Sequence, residues 1–198
     1  MDEAQILDAV MKLGVLVFSL CLHEFGHAYA AYRLGDPSGK MLGRMTIDPR
    51  AHIDPFGTIL FPLVMFLSQS PFLFGWAKPV PVTVENFNHP RRDGAFVALA
   101  GPAVNVLLAL LSLGFLVLMG TFFSSGDEAA FMTVGTLARF FLSMNVALAL
   151  FNLIPVYPLD GSWILKSILP PKWSYQVSRL DRYGYIILFA VFFLLRSL

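Results

Sequence analysis

A histidine, a glutamate and a second histidine one helical turn later are the residues best suited to chemistry. His23, Glu24 and His27 lie in the sequence His-Glu-Phe-Gly-His. Four helical residues turn through about 400°, which brings His27 nearly over His23, so both imidazoles can bind one metal ion. Glu24 can act as a general base toward a water molecule. The pattern therefore predicts a metal-dependent hydrolytic site.

The ten residues that precede this motif carry no charge. Residues 13–22 read Leu-Gly-Val-Leu-Val-Phe-Ser-Leu-Cys-Leu. The motif also occurs by chance in proteins that bind no metal, so an accidental polar cluster is the alternative interpretation. Ionisable side chains within an apolar span are costly, however, and by default they mark a functional site. The sequence therefore favours a metal site inside a membrane-embedded helix.

A third ligand is needed, because a catalytic zinc ion usually binds three protein side chains and a water. Asp160 is the best candidate, since it follows two prolines and precedes Gly161 at the end of an apolar stretch. A carboxylate there is costly unless it is paired or binds a cation. The alternative is that Asp160 only caps the next short helix. We expect His23, His27 and Asp160 to bind one Zn²⁺ ion.

The composition is typical of a membrane protein. Of the 198 residues, 57% are hydrophobic and 14% are charged, whereas about a quarter of the residues of a soluble domain are charged. The length allows one membrane-embedded domain, expected over residues 1–198, with the lipid bilayer as its surroundings. The net charge of +1 gives no indication of a nucleic-acid partner. The single cysteine, Cys21, excludes an intramolecular disulfide.

The apolar segments predict an all-α polytopic membrane protein with about four transmembrane helices. The expected spans are residues 6–32, 95–123, 131–153 and 183–195. The apolar segment from Pro55 to Gly75 contains prolines and polar residues, so we expect a re-entrant segment or an additional short span. Residues 41–47 could form a short strand, and residues 77–84, with two prolines and alternating valines, suggest an edge strand or an extended loop. We expect a small β element near the cytoplasmic face.

Positive charge predicts the orientation in the membrane. Residues 31–94 and 166–182 are rich in lysine and arginine, whereas the loop 124–130 carries only acidic charges. Because cytoplasmic loops are enriched in Lys and Arg, we expect the first two regions inside and the loop outside. The N-terminus would then be external, and the metal site would lie toward the cytoplasmic side of the cell membrane (the inner or plasma membrane). Spans one and three run in the same direction, so Asp160 would lie at the depth of the histidines.

Several motifs resemble those of the site-2 protease family of intramembrane zinc metalloproteases. They are residues 23–27, Gly-Pro-Ala-Val-Asn at 101–105, and Asn-Leu-Ile-Pro-Val-Tyr-Pro-Leu-Asp-Gly at 152–161. The segments 52–58 and 75–82 are similar to those of the small prokaryotic branch without a PDZ domain. The resemblance covers about residues 13–161. It implies a zinc endopeptidase that cuts in or near the transmembrane segments of membrane protein substrates, in regulated intramembrane proteolysis.

The resemblance also implies individual roles. Zinc would be bound by His23, His27 and Asp160, and Glu24 would be the general base and acid. Asn152 matches an asparagine that holds the substrate backbone or stabilises the oxyanion, which makes it a catalytic and substrate-binding candidate. The alternative for Asn152 is a helix–helix hydrogen bond.

Asn105 has two open interpretations. It could orient a ligand or contact the substrate, or it could serve only the packing between helices. Five other residues are weaker candidates. His52 and His89 are expected to be structural or surface residues, Asp54 to begin a turn, Arg139 to be paired or to extend toward the interface, and Cys21 to serve packing.

Two other functions remain as alternatives. A membrane metal-binding or transport protein could use the same histidines and aspartate, but a transport path needs ligands along its length, and Glu24 would have no purpose there. An inactive homologue that binds membrane partners would not need the complete set of ligands and base.

Overall fold

The computed structural model describes residues 3–68, 75–122, 128–188 and 190, which form helices joined by turns and irregular segments. The α-helices in chain order are α1 (Glu3–Arg33), α2 (Ser38–Met41), α3 (Phe61–Leu67), α4 (Pro90–Phe122), α5 (Glu128–Asn152), α6 (Asp160–Ile168) and α7 (Pro171–Ser178). Short 3-10 turns lie at Pro49–Ala51, Val84–Asn86 and Asp181–Tyr183, and a π-helix at Pro55–Leu60 precedes α3.

Three helices, α1, α4 and α5, are long and apolar enough to cross a membrane, and no other helix of the described residues is. Their candidate spans are Gln5–Arg33, Pro90–Thr121 and Met132–Asn152. Each reaches the ~20 residues that the hydrocarbon core of a bilayer requires. Helix α4 packs against both α1 and α5, and α1 and α5 also contact each other, so the three helices form one bundle.

Polar side chains are buried between the long helices, while many large aliphatic side chains face outward. Ser19, Asn105 and Asn145 are fully buried, one on each of the three helices. Leu110 and Leu111 of α4 are both 60% exposed. A helix in a soluble protein turns its leucines toward the core. The outward leucines therefore suit these helices to apolar surroundings such as lipid.

The expected fourth span, residues 183–195, lies largely outside the described residues, which include only 183–188 and 190 of it. Residues 184–188 are helical and follow the turn at Asp181–Tyr183. A fourth crossing therefore stays a prediction.

The two ends of the segment from Pro55 to Gly75 lie next to each other in the structure. The π-helix and α3 together form a short apolar helix, Pro55–Leu67, which is about 20 Å long and falls short of the ~30 Å hydrocarbon core. Residues 69–74 lie outside the described part. The Trp76 N–H donates to the Gly57 carbonyl (3.2 Å), and Thr58 Oγ1 donates to the Trp76 carbonyl (2.8 Å). The two ends therefore lie side by side, as a re-entrant segment requires.

The expected small β element does not form in the described residues. Helix α2 and a turn occupy the start of 41–47, and residues 77–83 are extended without a strand partner. Two of these residues are prolines, which have no N–H to donate. The Val80 N–H donates to Glu24 (2.9 Å) and the Thr83 N–H donates to Asp36 (2.8 Å). Carboxylates thus take the donors that a neighbouring strand would need.

Asp36 holds this extended segment against the end of α1 through hydrogen bonds. It is fully buried, and its carboxylate accepts hydrogen bonds from Ser38, from the Thr83 N–H and from the Asn86 side chain. Burial alone would raise the pKa of Asp36, but these hydrogen bonds outweigh burial and lower the pKa below its ordinary value of 3.8. The ionised carboxylate therefore holds the segment beside α1.

Candidate metal centre

Three side chains from two distant parts of the chain meet between α1, α4 and α6. His23 and His27 are buried on one face of α1, with their Nε2 atoms 3.0 Å apart. Asp160 is the first residue of α6, and its Oδ2 lies 3.2 Å from His23 Nε2 and 3.3 Å from His27 Nε2. Among the described residues, these three form the group that could hold a metal ion.

Hydrogen bonds on the far side of each imidazole determine where its proton lies. His27 Nδ1–H donates to the Val97 carbonyl of α4 (2.7 Å), and His23 Nδ1–H donates to Asn105 Oδ1 (2.6 Å). With the proton on Nδ1, each Nε2 has an unprotonated lone pair that faces Asp160. Partners of this kind commonly orient the histidines that bind metals.

The donor set fits zinc. Tetrahedral zinc with bonds of about 2.0–2.1 Å places its ligand atoms about 3.3 Å apart, which is close to the three observed separations. Asp160 Oδ2 is buried and accepts no hydrogen bond, because the proton of each nearby ring is on Nδ1. Three lone pairs that face one point repel one another unless a cation lies between them. Two imidazoles and a carboxylate are also ligands that zinc accepts.

Two glycines allow the helices to approach this closely. A Cβ atom on Gly101 of α4 would lie 2.6 Å from His23 Nε2 and closer still to His27 Nε2. A Cβ atom on Gly161 would overlap the Leu153 and Ile154 carbonyls at the end of α5. Gly101 therefore lets α4 pack over the histidines, and Gly161 lets α6 begin directly beside α5.

Glu24 lies beside the three ligand candidates and is half-buried. Its Oε2 accepts the hydrogen bond from the Val80 N–H (2.9 Å), so the extended segment passes directly over the carboxylate. A carboxylate at this position can act as a general base toward a water molecule beside the ligand candidates.

The two asparagines of the sequence analysis have different surroundings. Asn105 contacts His23 directly, which is the ligand-orienting arrangement. Asn152 is the last residue of α5, and its side-chain amide donates to the Leu148 carbonyl of its own helix (3.0 Å). Its proposed contact with substrate stays a prediction.

The weaker candidates have structural partners. His52 is buried, and its Nε2–H donates to the Thr46 carbonyl (2.8 Å). Asp54 caps the π-helix by accepting from the Phe56 and Gly57 N–H groups, which confirms the expected turn. The His89 N–H donates to Asp93 in the first turn of α4 (3.0 Å). Cys21 is buried.

Sequence reasoning missed Ser19 and Asn145. Asn145 of α5 donates to Ser19 Oγ (3.0 Å) and accepts from Asn105 (2.9 Å). Ser19 precedes His23 by one helical turn, so the spacing of four residues places both on one face. An isolated asparagine in an apolar span was the available signal for Asn145, because such a residue seeks a partner on another helix.

The comparisons with known proteins agree with this site. The model of peptidase family M50 matches residues 11–125 and 119–195. The "putative zinc metalloprotease YwhC" of Bacillus subtilis is 40% identical over 182 residues, which are 89% of this chain and 77% of the relative. The "putative zinc metalloprotease Rip2" of Mycobacterium tuberculosis (strain H37Rv) is 33% identical over 183 residues, 92% of this chain and 66% of the relative. No solved structure matches the chain.

The family match extends over nearly the whole chain. The relatives are named for zinc and for proteolysis, and the cluster of two histidines and an aspartate offers donors of the kind that zinc needs. The three long apolar helices agree with a membrane protein. The chain belongs to peptidase family M50, the site-2 protease family, and is a zinc metalloprotease.

Proposed function

We propose that this protein is an intramembrane endopeptidase that hydrolyses peptide bonds in or near the transmembrane segments of membrane protein substrates. The observation that supports this most strongly is the convergence of His23 Nε2, His27 Nε2 and Asp160 Oδ2 between long helices whose outer faces are apolar. The substrate bond must reach this point, so it must enter between the helices or at their ends.

His23, His27 and Asp160 would hold the zinc ion. When bound, zinc supplies the Lewis acidity that polarises a carbonyl group and makes water acidic enough to lose a proton near neutral pH. Glu24 takes that proton and passes it to the leaving amine, so it acts first as base and then as acid. Asn152, at the end of α5, would hold the substrate backbone or donate to the oxyanion.

The site would lie toward the cytoplasmic side of the cell membrane. From His27 to Arg33, at the end of α1, is about 9 Å along the helix axis, so the ligands lie below the surface but away from the bilayer centre. The basic residues that follow α1 favour the cytoplasm. The adjacent ends of the Pro55–Gly75 segment support its re-entrant course, and residues 1–198 would form one membrane-embedded domain.

Metal transport is less well supported. A transport path through a membrane needs successive binding sites. In the part of the chain that the structure describes, the single cluster of three metal-binding side chains is the one around Asp160. The carboxylate of Glu24 beside that cluster serves hydrolysis and has no use in transport.

The test of this proposal is Glu24→Gln. The variant should bind zinc as the wild type does, because the three ligands remain, and it should fail to cleave a co-expressed membrane protein with a sensitive transmembrane segment. Glu85→Gln is the matched control, since it makes the same chemical change at an exposed site, and it should cleave normally. Undiminished cleavage by the Glu24 variant would refute the proposed mechanism.

A further inference from the structure

We infer that Asn145, acting through Asn105, fixes the proton of His23 on Nδ1 and is thereby a positioning residue of the metal site. The inference rests on the proposed function, because it takes His23 Nε2 to be a zinc ligand. It concerns a side chain on α5 that lies two hydrogen bonds away from the histidine.

The hydrogen-bond chain starts at a backbone carbonyl group, which can only accept. Asn145 Nδ2 donates to the Phe141 carbonyl, one turn earlier in α5 (2.9 Å), and to Ser19 Oγ of α1 (3.0 Å). Since the amide nitrogen must face this carbonyl, the amide oxygen of Asn145 must face the other way, toward α4.

The orientation of the Asn145 amide determines the orientation of the Asn105 amide, which contacts His23. Its Nδ2 donates to Asn145 Oδ1 (2.9 Å), so its own Oδ1 is turned toward His23 Nδ1 (2.6 Å). An amide oxygen carries no proton, so the proton between them belongs to His23 Nδ1. His23 Nε2 is left with a lone pair directed at His27 and Asp160. The Phe141 carbonyl of α5 thus determines which nitrogen of His23 can bind metal.

Burial makes the orientation obligatory. Ser19, Asn105 and Asn145 are each 0% exposed. Inverting either amide would set oxygen against a carbonyl oxygen or N–H against N–H, away from water that could compensate. His27 reaches the same tautomer by a single bond to the Val97 carbonyl. The hydrogen-bond acceptor of His23 Nδ1 is a side chain and can be removed by substitution. The acceptor of His27 Nδ1 is a backbone carbonyl and cannot.

The first test compares Asn145→Leu with Ser112→Ala. Ser112 Oγ of α4 donates to the Ala138 carbonyl of α5 (2.8 Å), so the control removes a buried bond between the same two helices without touching the histidine chain. Zinc affinity is measured by competition with a chelator in purified protein. Asn145→Leu should weaken zinc binding about 10–100-fold, as loss of a partner behind a metal ligand does, and Ser112→Ala less than about twofold. Equal losses in both variants would overturn the inference.

A second test distinguishes positioning from packing. If Asn145 acts through Asn105, then Asn145→Leu should cause no further loss of zinc affinity in an Asn105→Leu background. A role in packing alone would reduce the affinity by the same factor in both backgrounds, and that result would contradict the inference.

The unmutated protein gives a readout that does not depend on the folding of a variant. Nuclear magnetic resonance of zinc-loaded protein with isotope-labelled histidine should show the ring proton of His23 on Nδ1. A proton on Nε2 would overturn the inference. His23→Ala tests the ligand set separately: undiminished zinc binding there refutes the proposed function, whereas failure of the Asn145 tests alone leaves the ligand set intact.

Discussion

At the residue scale, each candidate ligand is supported by a different kind of group. His27 donates a hydrogen bond to a backbone carbonyl of α4, and His23 donates one to a side-chain amide of α4. Asp160 is positioned as the first residue of α6. A substitution can remove a side-chain partner, but it leaves a backbone carbonyl in place. We therefore expect the His23 side of the site to be more sensitive to substitutions in neighbouring helices than the His27 side.

Gly101→Ala should disturb the metal site only by steric overlap, because alanine adds one methyl group and no charge or hydrogen-bonding group. The new methyl group would overlap ring atoms of both histidines, so the rings or α4 must move, and both zinc affinity and the melting temperature should fall. Zinc content and thermal unfolding are the measurements.

Gly114→Ala is the matched control in the same helix, because nothing lies within 4 Å of a Cβ atom there. It should bind zinc normally and be neutral or up to about 1 kcal/mol more stable, since alanine favours the helix. Normal zinc affinity in the Gly101 variant would show that the rings can relax without loss, contrary to this expectation.

At the element scale, the extended segment 77–83 is held by two carboxylates on or just after α1. Glu24 takes the Val80 N–H and Asp36 takes the Thr83 N–H. The position of the segment therefore depends on hydrogen bonds to two side chains and not on a neighbouring strand.

The stabilising effect of Asp36 should depend on pH. Its folded-state pKa lies below the ordinary value of 3.8, so its contribution is complete above that value and is lost as the pH falls through the folded-state pKa. Asp36→Asn should therefore lower the melting temperature at neutral pH, and the difference from wild type should shrink as the pH falls below about 4. Thermal unfolding of both proteins between neutral and acid pH is the measurement. A difference that is constant with pH would contradict the charge-based role.

The spacing of the candidate ligands and the positions of the long helices could be predicted from the sequence. The structure of the segments that connect the long helices could not. The spacing of His23 and His27 and the apolar lengths of α1, α4 and α5 carry periodic or compositional signals. Residues 77–83 alternate as a strand does, but their donors are taken by carboxylates that are distant in sequence. The sequence distinguishes residues 166–182 only by their basic charge. The short helices α6 and α7 occupy most of this stretch, and short helices bounded by prolines leave little periodic pattern.

At the scale of the whole molecule, polar groups lie inside and leucines outside, so the membrane has to supply the apolar surroundings. The orientation of the protein in the membrane then depends on which connecting segments carry lysine and arginine, because such segments tend to be cytoplasmic. Basic residues precede α4 and follow α5, while residues 124–130 carry only acidic charges. The end of the bundle with Asp160 should therefore face the cytoplasm.

Cysteine labelling tests this orientation. In a Cys21→Ala background, Lys78→Cys should react with a membrane-impermeant thiol reagent only from the cytoplasmic side, because Lys78 is exposed and lies just beyond the Pro55–Gly75 segment, which we expect to return to the side where it starts. Ser125→Cys, at a position that the charge pattern predicts to be outside, is the control and should react only from outside. Labelling of Lys78→Cys from outside would mean that the Pro55–Gly75 segment crosses the membrane.

The position of Asp160 at the start of α6 has a consequence for biosynthesis. The two histidines and Glu24 leave the ribosome early, on the first long helix, while the carboxylate follows only after α4 and α5. With Asp160 as the third ligand, a chain that is still being inserted lacks a complete zinc site. Under the proposed function, hydrolytic capacity would therefore arise only when insertion of the long helices is finished, and neighbouring helices in the translocation machinery would be spared from premature cleavage.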